Sequence, residues 1–127
     1  MSKVKYELEI PIRASPNMLY RYISSPSNLQ EWFADEVNSR GKIFSFFWDG
    51  VEEQAKLILK KTGDRIRFKW LESEDDDSFF EIRIQVDALT KDVSLMVTDF
   101  ADTEDEIDAA KQLWENQIDE LKQTIGA

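Results

Sequence analysis

Histidine and cysteine are both missing from this 127-residue chain, and the two absences remove much of ordinary enzyme chemistry. Without histidine there is no general base of the usual neutral-pH kind, no imidazole metal ligand and no hydrolase arrangement that relies on His. Without cysteine there is no disulfide and no thiolate nucleophile. That accords with a reducing cytoplasm, the expected location, as it also does with exported bacterial proteins that lack Cys. No stretch approaches the roughly 18 apolar residues of a membrane span. The opening Met1 to Glu7 alternates charged and apolar residues and carries no continuous apolar segment of signal-peptide type. Positive charge is scarce as well: 16 Lys and Arg against 26 Asp and Glu leave a net charge of -10. Such a balance opposes phosphate backbones and anionic membrane surfaces, so neither a nucleic-acid partner nor membrane insertion is expected.

What is present reads as one domain over residues 1–127, with enough apolar residues for a single core. Val4, Tyr6, Leu8, Ile10 and Ile12 alternate with Lys5, Glu7 and Glu9, the pattern of a half-buried strand. Ser15-Pro16 reads as an N-cap with proline at the first helical position, and Met18, Leu19, Tyr22 and Ile23 give that helix its buried side. Ser24-Ser25-Pro26 stops it. Ser27 with Gln30 resembles a capping box for a second short helix carrying Leu29, Trp32 and Phe33.

Strands resume after Asp35. Phe44, Phe46 and Trp48 share one face, and Asp49-Gly50 signals a hairpin into Val51–Lys60. Ile66, Phe68 and Trp70 point one way and Arg65, Arg67 and Lys69 the other; Phe80, Ile82, Ile84 and Val86, then Val93 to Phe100, complete the strands. From Thr103 to Ile125 the apolar residues Ile107, Ala110, Trp114, Ile118, Leu121 and Ile125 recur at steps of three and four, a helical stripe about 33 Å long at ~1.5 Å per residue. Thr103 with Glu106 looks like its capping box and Gly126 like its C-terminal cap. The expected fold class is α+β: a curved antiparallel sheet of about six to seven strands, two short helices after the first, and a long C-terminal helix packed across the sheet.

That order is the helix-grip arrangement, and the residues resemble a family. Ala14-Ser15-Pro16 with Leu19, Tyr20 and Tyr22, then Ser25-Pro26, Leu29 and Glu31-Trp32-Phe33, are similar to the START-like (SRPBCC) superfamily. So are Phe47-Trp48-Asp49-Gly50, Ile66-Arg67-Phe68-Lys69-Trp70, Val97-Thr98-Asp99-Phe100 and the stretch from Trp114 to Gly126. The resemblance spans nearly the whole chain and is closest to the group related to Aha-type activators of heat-shock chaperone ATPases. It implies a helix-grip fold, in which many relatives bind hydrophobic small molecules between sheet and helix and many have no assigned activity. Chaperone activators of this type normally act with an additional domain, for which 127 residues leave no room. Enzymatic relatives use polar groups inside the cavity, whereas the inward faces here read as almost wholly apolar.

The candidate ligand-lining set is Tyr6, Trp32, Phe44, Phe46, Trp48, Phe68, Trp70, Phe80 and Trp114, with Ile118 and Leu121 as a lid from the closing helix. Two readings stand side by side: an apolar ligand pocket, or a core that those rings fill themselves. The acidic stretch Glu72, Glu74, Asp75, Asp76 and Asp77 offers oxygen ligands but lacks the spacing of an EF-hand loop, so it reads as a solvated turn. Asp35/Glu36 and Glu52/Glu53 are adjacent on extended chain and point to opposite faces, which suits surface charge better than acid–base work. Arg65, Arg67 and Lys69 form a basic row, a candidate protein-interaction patch or a set of cross-strand ion pairs with Glu81 or with the Glu52/Glu53 region. The expectation is a non-enzymatic domain with no cofactor and no metal that binds a small hydrophobic molecule. The alternative is a co-chaperone-like interaction module with a filled core; ligand identity and oligomeric state stay open.

Overall fold

A computed structural model describes residues 3–127. Seven strands form one antiparallel sheet: β1 (Val4–Pro11), β2 (Glu36–Arg40), β3 (Ile43–Trp48), β4 (Val51–Lys61), β5 (Arg65–Trp70), β6 (Phe80–Val86) and β7 (Val93–Ala101). Their spatial order is β1-β7-β6-β5-β4-β3-β2, so every neighbour is a hairpin partner except the first, where β1 closes against β7. The chain crosses from one edge of the sheet to the other through α1 (Pro16–Ser24) and α2 (Pro26–Leu29). The last element, α3 (Ile107–Ile125), lies over the same face, the helix-grip order expected from the sequence.

Local chemistry accounts for most of the boundaries. Ser15 caps α1: its hydroxyl accepts from the Met18 N–H at 3.2 Å, with Pro16 in the first turn. Asp49 and Gly50 both adopt positive φ, 51° and 80°, the geometry of a two-residue loop whose twist matches the strands it joins. In β4 the register shifts between Leu57 and Leu59, and Ile58 is left 45% exposed.

Several boundaries differ from the expectation. The second helix has Ser25 at its N-cap position, without a side-chain cap bond, and ends at Leu29, so Trp32 and Phe33 lie in the turn beyond it. Gln30 forms no capping box; its side-chain carbonyl accepts from the Val37 N–H at 2.9 Å and ties that turn to β2. Thr103 makes no side-chain cap, and a 3₁₀ turn over Glu104–Glu106 precedes the α-helix proper. Val86, expected to face inward, is 45% exposed at the end of β6.

The core fills the space between the sheet and the helices. Phe46, Phe68, Phe80, Ile66, Ile82, Leu95 and Val97 rise from the sheet to meet Leu19, Ile23 and Leu29 from α1 and α2 and Ile118 and Leu121 from α3, all at 2% exposure or less. The rings interlock: Phe68 lies 4.9 Å from Phe44 and 5.2 Å from Phe80 between centroids, and Phe33 touches Phe46 at 5.2 Å.

Candidate functional site: a groove between the sheet and the closing helix

The interior is filled at its centre and open at one end. Between the sheet and α3 a groove of about 590 Å³ remains. Its sheet wall carries Tyr6 from β1, Trp48 from β3, Trp70 from β5 and Asp99 from β7; its helix wall carries Ala110, Leu113, Trp114 and Gln117. Phe33 lies at its base, stacked on Trp114 at 5.8 Å and edge-on to Trp48 at 5.5 Å. The Trp48 and Trp70 rings lie 6.2 Å apart, tilted by 57°. Leu113 is 66% exposed on the helix rim, a large apolar side chain mostly open to solvent.

Asp99 is the polar centre of this groove. Tyr6 and Asp99 are opposite one another in the β1–β7 ladder, so both side chains leave the sheet on the same face. One carboxylate oxygen, Oδ2, accepts from the Trp114 indole N–H at 2.9 Å and from the Tyr6 hydroxyl at 3.3 Å. The other, Oδ1, accepts from the Phe100 N–H at 2.8 Å. Burial pushes the Asp99 carboxyl above the ordinary aspartate value, and the bonds from Trp114, Phe100 and Tyr6 oppose that rise without cancelling it. Burial and the adjacent Asp99 charge push the Tyr6 hydroxyl well above the usual tyrosine range, so it remains a proton donor.

The sequence-expected lining residues divide into three groups. Tyr6, Trp48, Trp70 and Trp114 border the groove. Phe44, Phe46, Phe68, Phe80, Ile118 and Leu121 pack against one another and their neighbours in the closed core, at 5% exposure or less. Trp32 is not among the groove's lining residues: its ring is edge-on to Phe33 at 5.5 Å, its indole N–H donates to the Tyr22 carbonyl at 2.9 Å, and it borders an adjoining depression that shares Phe33, Trp48, Gln117 and Glu120 with the groove. The candidate set omitted the other eight lining residues, among them Phe33, Asp99 and Leu113. Asp99 had a readable signal, because the alternation Leu95, Val97, Asp99 sets an acid on an otherwise apolar face. Leu113 lies one position before Trp114, off the apolar stripe, and only the position of the sheet beneath it makes it part of a wall.

The basic row lies on the opposite face and is engaged. Arg67 reaches its ladder partner Glu81 with two bonds to one oxygen, at 3.0 and 2.9 Å, and its guanidinium stands 4.2 Å over the Phe79 ring. Arg65 pairs with Asp64 at 3.5 Å and with Glu81 at 4.0 Å. Lys69 donates to the Ser78 carbonyl at 2.6 Å and meets Asp76 at 3.5 Å. The acidic loop is likewise held from within: Asp76 accepts from the Ser78 N–H at 2.7 Å and from the Ser78 hydroxyl, and pairs with Lys3 at 3.3 Å. The Ser78 bonds, then Lys3, hold the Asp76 carboxyl well below the usual carboxylate range. Among the described residues, no three His, Cys, Asp or Glu side chains converge as metal ligands do, and no helix is long and apolar enough to cross a membrane.

A family model described as a START-like superfamily domain matches residues 1–127. The solution NMR structure of a Bacteroides fragilis protein is 38% identical to this chain, covers 98% of it and 93% of its own length, and superposes with a TM-score of 0.70. The solution structure of the Aha1 dimer from Colwellia psychrerythraea is 18% identical, with 96% of this chain and 94% of that one covered and a TM-score of 0.69. A crystal structure of a Mesorhizobium loti protein reaches a TM-score of 0.76 at 17% identity, with 96% of each chain covered. At those identities the last two show a shared fold. No curated protein matches the sequence.

Proposed function

This chain belongs to the START-like superfamily, and we propose that it is a cytoplasmic, non-enzymatic domain that binds one small hydrophobic molecule in the groove between its sheet and closing helix. The observation that carries this reading is the groove itself. It has about 590 Å³ of space beside a core whose centre is packed, walled by Tyr6, Phe33, Trp48, Trp70 and Trp114 with few polar groups. That is the size and character of small-molecule sites in general. Aromatic walls offer a ligand large contact areas, and the exposed Leu113 is an apolar surface that a ligand would cover.

Nothing in the groove resembles an activated nucleophile or an acid–base pair. Its one buried carboxylate, Asp99, is held by Trp114, Tyr6 and the Phe100 N–H, an arrangement suited to fixing the wall. Protein interaction through Arg65, Arg67 and Lys69, the alternative expectation, draws less support because those side chains already serve Glu81, Asp64, Asp76 and the Ser78 carbonyl.

The test is titration with N-phenyl-1-naphthylamine, a neutral hydrophobic dye, combined with native mass spectrometry of protein purified from cells. Saturable one-site binding that is weakened about tenfold or more in Leu113→Glu is the expected result, since a charge is placed on the apolar rim. A bare-chain mass together with no saturable dye site would overturn the reading.

A further inference from the structure

The groove carries a sign of charge as well as an apolar wall. Two carboxylates border it, Asp99 on the floor and Glu120 on the α3 rim, and among the lining residues there is neither lysine nor arginine. The remaining polar lining, Tyr6, Asn116 and Gln117, is uncharged in its ordinary state. Among the described residues, Asp99 Oδ2 accepts from Trp114 and Tyr6, whereas Oδ1 accepts the Phe100 N–H alone and has lone-pair capacity for one further donor. Trp48, Trp70, Phe33 and Trp114 line the same groove, the ring types and clustering that attract organic cations.

From these placements we infer that the groove selects a small organic ammonium compound: an apolar body against Trp48, Trp70 and Leu113, and a protonated amine directed at Asp99. This rests on the ligand-binding reading above and adds the chemical class of the ligand. A carboxylate-bearing ligand of the same shape would set its charge against Asp99 and Glu120 with no cation in the wall to meet it. An arriving ammonium does the reverse. It favours the ionised form of Asp99 and supplies a donor to the open position on Oδ1.

The experiment uses three probes of one length and shape that differ in the head group: 4-phenylbutylamine, 4-phenylbutanol and 4-phenylbutyrate. Each competes with N-phenyl-1-naphthylamine on the full chain. The amine is expected to bind about tenfold or more tighter than the butyrate, with the alcohol between them, and Asp99→Asn should reduce that spread to about threefold or less. The unaltered protein supplies an independent readout. The Trp114 indole N–H donates to Asp99, so its resonance should move further with the amine than with the alcohol.

Three results would overturn the inference, and they are distinguishable. Equal binding of all three probes, with the dye still bound, removes the charge selectivity and leaves the groove reading standing. Loss of dye binding along with all three probes removes both. Amine preference that survives unchanged in Asp99→Asn, with no added movement of the Trp114 signal, assigns the preference to the protein's overall negative charge and not to this site.

Discussion

Phe46 and Asp99 show two ways in which one residue can matter here. Phe46 is fully buried among Phe33, Phe44, Phe68 and Trp70. Phe46→Ala should therefore cost about 3–5 kcal/mol in urea unfolding, the range for removing a packed ring. Asp99 acts through its charge. Because burial raises its carboxyl above the ordinary value, the folded protein holds that proton more tightly than the unfolded chain does. The resulting stability is complete below the unfolded value, about 4, and is lost as pH rises through the folded value. The difference in stability between Asp99→Asn and the parent should therefore shift in the variant's favour as pH rises from about 4 toward neutrality. An unchanged difference across that range would contradict the account. Glu81 is the corresponding case on the outer face: Glu81→Ala leaves Arg67 without its two bonds and should destabilise by about 1–3 kcal/mol. Both acids were visible in the sequence; the cross-strand pairing of Glu81 with the basic row was legible there as well, whereas the role of Asp99 was not. A strand pattern tells which face a residue takes, and only the packed structure tells which donors meet it there.

At the scale of elements, the strands and the closing helix were legible because their apolar residues keep strict periods of two and of three to four. The stripe Ile107, Ala110, Trp114, Ile118, Leu121 and Ile125 is the buried or half-buried side of α3. Capping was less legible, since a Ser or Thr followed by Glu or Gln three residues on reports a possible bond and the tertiary structure decides whether it forms. Ser15 makes its bond and Thr103 does not. Ser15→Ala should thus cost about 1 kcal/mol, while Thr103→Ala should stay within about 0.5 kcal/mol of the parent. Equal losses in thermal or urea unfolding would contradict the observed caps. Gly126, at φ 73° in the C-cap of α3, was readable for the opposite reason, because a left-handed terminal residue is nearly always glycine. Trp32 and Phe33 illustrate the limit: they fall beyond the four-residue α2, and the turn that carries them is fixed by the Gln30–Val37 bond, a contact no local pattern announces.

For the molecule as a whole, sequence reasoning set a filled aromatic core against a ligand pocket, and the structure has a packed aromatic centre with a groove beside it. Phe44, Phe46, Phe68 and Phe80 occupy the middle, and a groove remains between the sheet and α3. Their division depends on how the helix is seated over the sheet, which periodicity does not encode. Of the four tryptophans, Trp48, Trp70 and Trp114 border the groove, and Trp32 does not. That distribution permits a direct measurement of the central claim: the four indole N–H resonances in a ¹H–¹⁵N spectrum, followed during titration with N-phenyl-1-naphthylamine. The account predicts saturable movement of the Trp48, Trp70 and Trp114 signals with the Trp32 signal in place. Movement of Trp32 alone, or no saturable movement of any of the four, would contradict it.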